Sequence, residues 1–171
     1  IREMADTTAT SIRSAGEPEP VPASTLVADA VSEMRQSLKG DGVSAPDPVV
    51  VVDDTPVAVV GGHASTLGNL LVNGVLQRPD APVEVRGRAL NEWFYHVSIR
   101  DHGVAPEERE AALARMRVSL ALEAKGAREA PGASLPPRHR GYGIALMVAK
   151  VLLLRFGGHL DVSAPSSGRG V

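Results

Sequence analysis

The sequence predicts an α+β fold, a two-layer α/β sandwich in which a mixed, mostly antiparallel sheet of about five strands is covered on one face by three helices. Three observations predict it. Residues 24–38 and 65–78 carry apolar side chains at helical period. Short β-branched runs come in two close pairs, 49–52 with 56–60 and 83–90 with 93–100. Residues 141–156 are apolar on nearly every side, as a helix packed into an interior would be.

The bulk composition narrows the function classes. At 171 residues the chain fits one domain with a real core. Aromatics are only 3%, so that core must be built from Val, Leu, Ala and Ile. A net charge of -2, with no Lys/Arg cluster interleaved with aromatics, argues against a nucleic-acid surface. There is no cysteine, hence no disulfide and no thiolate metal site, which is compatible with a cytoplasmic location. The longest apolar run, Ile144 to Leu154, is interrupted by Lys150 and is too short to span a bilayer, so no membrane contact is expected of this segment. The start without methionine and the stop at Val171 suggest a piece of a longer chain.

Taken in order, residues 1–22 read as a weakly helical stub followed by a Pro-rich linker, AGEPEPVP. The domain then spans 23–171. Its first helix has Ser24 or Thr25 as cap and Leu26, Val27, Ala30, Val31, Met34 and Leu38 inward. Val49–Val52 and Pro56–Val60 read as a strand pair around the turn Asp53-Asp54-Thr55, and Gly61-Gly62 precedes the second helix. Two more strands meet at Asn91-Glu92. Residues 105–124 are helical in pattern, and 125–140 form a Gly/Pro/basic loop with little to bury. The last helix ends at Gly157-Gly158, and His159–Ser163 reads as a closing strand.

The second helix, STLGNLLVNGVLQR, organises the rest. Leu67, Leu70, Leu71 and Val75 make an apolar face, while Asn69, Asn73 and Gln77 stand one turn apart on another side. Asparagine favours caps and turns, so two of them inside a helix need a reason. They are either the wall of a polar pocket, with carboxamide oxygens for a hard cation, or a solvated face. Two further segments carry ligand chemistry. Asp101-His102-Gly103 follows a strand and puts a carboxylate at its mouth, or forms an ordinary Asx turn. Arg138 to Ile144, RHRGYGI, opens the buried helix with glycines that let backbone N–H groups reach a phosphate, or is a turn that needs glycine. None of the five histidines clusters at metal-ligand spacing.

The order of these segments resembles one family, the ATP-binding catalytic domain of sensor histidine kinases, within the GHKL superfamily and its Bergerat-type fold. NLLVNGVLQR looks like the family's N box, DHGVA (Asp101 to Ala105) like its G1 box and GYGIAL (Gly141 to Leu146) like its G2 box. The resemblance runs from about residue 20 to the end. It implies that Asn73 ligates magnesium with Asn69 beside it, and that Asp101 accepts a hydrogen bond from the adenine amino group while Gly103 leaves room for the base. It implies further that Gly141, Gly143 and Ile144 hold the phosphates through their N–H groups, and that residues 104–140 form the ATP lid.

The pattern departs from the family at named places. Ala105 and Ala145 replace glycines of the G1 and G2 boxes, the lid has no Phe-rich segment, and in GGHLDVSAPSSGRGV, which resembles the family's closing strand and turn, Val171 stands where a Thr is usual. What the resemblance implies is a Mg-ATP domain of a two-component kinase, an ATP-dependent phosphotransferase if active, acting on a histidine outside this segment. Its partners would be a response regulator or a phosphoacceptor-His domain, with a homodimer in the full-length protein. The departures support an alternative, a degenerate pseudokinase that binds a regulator without ATP turnover. A further alternative, a protein kinase like the pyruvate dehydrogenase kinases, fits less well because those carry Glu where Asn69 stands.

Overall fold

The computed structural model describes residues 17–59, 62–103, 114, 146, 149–154 and 157–163. The elements run β1 (Glu19–Pro22), α1 (Ala23–Gly40), β2 (Val49–Val51), β3 (Pro56–Val59), α2 (His63–Gln77), β4 (Glu84–Ala89) and β5 (Tyr95–Arg100). The chain is a mixed α/β structure with helices layered on sheet, as the sequence predicts. Residues 149–154 add part of a third helix. Among the described residues no helix is long and apolar enough to cross a membrane.

The strands pair differently from the expectation. β2 and β3 are not partners. β3 pairs antiparallel with β1, while β2 runs parallel to β4, which pairs antiparallel with β5, so the five strands form two sheets. The linker expected up to residue 22 therefore ends in a strand, with Pro22 opposite Pro56. Proline is tolerated there because a two-stranded ribbon leaves one side of each strand without a ladder to complete. Residues 159–163, expected as a closing strand, are not in a strand.

Helix α1 starts one residue before the cap read from the sequence. Pro22 precedes it and no side chain caps it; Ser24 Oγ donates instead to Asp54 Oδ1. Its end is a Schellman turn: Gly42 has φ 67°, and the amides of Gly42 and Val43 donate to the carbonyls of Lys39 and Leu38 at 3.2 and 2.9 Å. The third helix ends the same way at Gly157, with φ 75° and N–H donors from Gly157 and Gly158 to Leu154 and Leu153. That helix is not buried all round. Leu146, Ala149 and Leu152 face inward, but Val151 and Leu154 are exposed.

The core joins α1, α2 and the inner face of β4, through Val27, Ala30, Val31, Met34, Leu38, Leu71, Val75, Val83 and Val85. The two helices approach closely at Gly68, where a Cβ would stand 3.1 Å from the Ala30 carbonyl oxygen. Leu67 and Leu70 are only half-buried, and the buried face of α2 includes Thr66, Gly68, Asn73 and Gly74. One of its asparagines therefore faces the protein interior.

Half-buried His63 opens α2, and burial pushes its imidazole below its ordinary 6.5. Below that value the unfolded chain binds the proton more readily than the folded one, so stability rises with pH through this range and falls on acidification. The urea midpoint should accordingly drop between about pH 7.5 and about pH 5.5, and drop less in His63→Gln. An equal drop in both proteins would assign the effect to other groups.

Candidate functional site

The C-terminal half of α2 and the turn after β5 build the site together. Asn69, Asn73 and Gln77 lie along one side of α2 because each is a turn beyond the last. Asn73 is 8% exposed, and its Nδ2 donates to the Asn69 carbonyl at 2.7 Å. This bond back to the preceding turn uses the amide nitrogen within the helix and leaves Oδ1 as the group to offer a ligand. Asn69 is half-buried and faces a groove of about 380 Å³ between α1 and α2, which Glu33, Ser65 and Gly68 also line. Ser65 Oγ donates to Glu33 Oε1 across it at 3.0 Å.

Asp101 comes directly off the end of β5 and is 1% exposed. Its Oδ1 accepts the Gly103 N–H at 3.0 Å, so the segment is an Asx turn as well as a buried carboxylate. The turn lies against α2 at two points. A Cβ on Gly74 would stand 3.3 Å from Val83 Cγ2 and 3.6 Å from Asp101 Cβ. A Cβ on Gly103 would fall 2.2 Å from Gln77 Cβ and 3.1 Å from the Gln77 carbonyl carbon. Asp101 is thus seated on the residue next to Asn73. The missing side chain of Gly103 makes room for α2, whereas the resemblance assigns that room to a base.

A third tie comes from the sheet. His102 Nε2 stands 3.4 Å from Glu84 Oε1, and Arg86 Nη2 stands 3.5 Å from Glu84 Oε2. Glu84 sits opposite Arg100 in the β4–β5 register. The sequence reading missed Glu84; the alternation of Glu84, Arg86 and Arg88 on the outer face of β4 is the signal that would have found it.

The structure therefore sets Asp101 and Gly103 against the Gly74–Gln77 end of α2, beside Asn73, while Asn69 lines the groove toward α1. Gly141, Gly143 and Ile144, with Ala105, Ala145 and all of the lid except Ala114, lie outside the described residues. Among the described residues no group of three or more His, Cys, Asp or Glu is placed to hold a metal ion. A cation here would rest on the Asn73 carboxamide oxygen and on oxygens of its own ligand.

No family model matches the chain, and no curated protein matches it. Among solved structures it is similar to a protein described as "Mycobacterial sensor histidine kinase MprB", with a TM-score of 0.48 and 21% identity over 90% of this chain and 91% of that one.

Proposed function

We propose that this chain is an ATP-binding domain of the sensor-histidine-kinase type, holding Mg-ATP for phosphotransfer to a histidine outside the segment. The observation that carries the reading is the seating of buried Asp101 on Gly74, the neighbour of Asn73. Residues 28 positions apart in sequence, each matching a different box of the family, share one wall. The donor set fits the ligand. A carboxylate suits the exocyclic amine of adenine, and a carboxamide oxygen with its nitrogen already bonded suits a hard cation. When bound, Mg-ATP supplies the transferable phosphoryl group. The chain's own residues orient the nucleotide: Asp101 fixes the base, Asn73 and Asn69 the metal side, and the Gly141–Ile144 backbone the phosphates. A response regulator or phosphoacceptor-His domain would be the partner, and the protein would act as a homodimer.

Calorimetry with Mg-ATP tests this. Binding is expected, with Asp101→Ala lowering affinity at least about tenfold, the loss of a charge-assisted hydrogen bond. Circular dichroism of the variant separates lost binding from lost fold. No binding at millimolar Mg-ATP would sink the reading.

One observation favours a second reading. Asp101 and Gly103 serve the fold by themselves, as turn acceptor and as close contact for α2. A scaffold that binds a regulator without turning over ATP would need both. In that case wild type binds no nucleotide, and restoring glycine at Ala105 and Ala145 brings binding back.

A further inference from the structure

The β4–β5 hairpin ends in an apolar tip that neither the core nor the proposed nucleotide wall uses. Leu90 is 56%, Trp93 79% and Phe94 54% exposed. Trp93 is the sole tryptophan of the chain. Large apolar side chains displayed together on a protruding turn are what a soluble domain ordinarily hides, unless a partner covers them.

The tip is held in shape. Asn91 Oδ1 accepts the amides of Trp93 and Phe94, both at 2.9 Å. The Phe94 carbonyl accepts the amides of Leu90 and Asn91 at 2.9 and 3.4 Å. At its base, the Tyr95 ring lies over Gly87, where a Cβ would fall 2.9 Å from the ring edge. The aromatic pair is therefore presented on a fixed loop, and little ordering entropy is left to lose on binding.

The charges beside it select the partner. Glu92 sits in the tip and is exposed. Asp53 lies at its base beside Tyr95 and Ala89, where hydrogen bonds from the Thr55 hydroxyl and amide hold its carboxyl below the ordinary range. Among the described residues, Glu92 and Asp53 thus flank the tip, with the Arg88 guanidinium at its base and His96 opposite Arg88 in the register. Anionic lipid and nucleic acid are repelled by such a surround, while a cation is drawn both to the carboxylates and to the indole face.

We propose that the Leu90–Phe94 tip, with Asp53 and Glu92, is a docking site for a basic, apolar segment of a partner protein. Arginine or lysine would lie over Trp93 and against the carboxylates, and aliphatic side chains would cover Leu90 and Phe94. This surface stands whether or not the domain binds nucleotide.

Trp93 reports on its own occupancy. The full chain is titrated with a short peptide of alternating Arg and Leu, followed by tryptophan emission and by anisotropy of a dye on the peptide. The expected result is a saturable blue shift that weakens with salt. By anisotropy, Trp93→Ala should reduce affinity about thirtyfold, as for an interface hot spot. Asp53→Asn with Glu92→Gln should reduce it about tenfold and flatten the salt dependence. Asp53→Asn keeps the oxygen that accepts the Thr55 amide, so the turn is preserved. No shift with the peptide overturns the proposal, as does an equal shift with a Glu/Leu peptide. A shift that follows protein concentration alone, or one given only by phosphatidylcholine vesicles, overturns it in favour of a second copy or a lipid surface.

Discussion

Gly103→Ala is expected to cost about 3 kcal/mol of stability, the upper end for overpacking a tight site. The added methyl would fall 2.2 Å from Gln77 Cβ and 3.1 Å from its carbonyl carbon. Both atoms belong to or adjoin the backbone of α2, so no rotamer change relieves the clash. Either the turn lifts from α2 or the helix end gives way, and both loosen the seat of Asp101. Urea unfolding should show a lower midpoint with an unchanged slope. Gly40→Ala is the matched control: nothing lies within 4 Å of its added methyl and its φ is not positive. In helix α1 that change should gain about 0.5–1 kcal/mol from propensity alone. Equal effects at the two glycines would refute the contact between the turn and α2.

Leu71→Ala carries the other large expected effect, again about 3 kcal/mol, from lost burial plus the cavity left behind. Leu71 is fully buried and belongs to the same cluster as Met34, Val75 and Val85. It lies on the opposite side of α2 from the asparagine row, so the loss should appear in stability before it appears in ligand affinity. Thermal unfolding gives the measure, and Leu71→Met, which nearly conserves volume, should lose less than about 1.5 kcal/mol. A loss equal to that of Ala would mean the site demands the shape of leucine rather than its volume.

Most elements were legible in the sequence because period and punctuation are local signals. The apolar repeat located α1 and α2, and Gly157 marks a helix end by a conformation that other residues rarely adopt. Strand partners were not legible. A run such as Val49–Val51 says that it is extended, but not that it pairs with Glu84–Arg86 across an intervening helix. Prolines at 20 and 22 read as a break because an edge that spares their missing N–H is a property of the sheet, not of the segment. At the site, the asparagine row was visible from spacing. The burial of Asp101 was not, since a carboxylate after a strand usually meets water. Gly103 was singled out as leaving room for a base, whereas its close neighbour is Gln77, which no local pattern reveals.

Strand β2 has a consequence for solubility. It stands at the end of its three-stranded sheet among the described residues, and Val49, Val50 and Val51 are 49%, 44% and 57% exposed. A bare valine edge is a template for sheet growth between molecules. The flanks resist it: Pro46 and Pro48 precede the strand, and Asp53 and Asp54 follow. Two residues that cannot extend a ladder and two that repel a copy of themselves act as gatekeepers for three that would extend it.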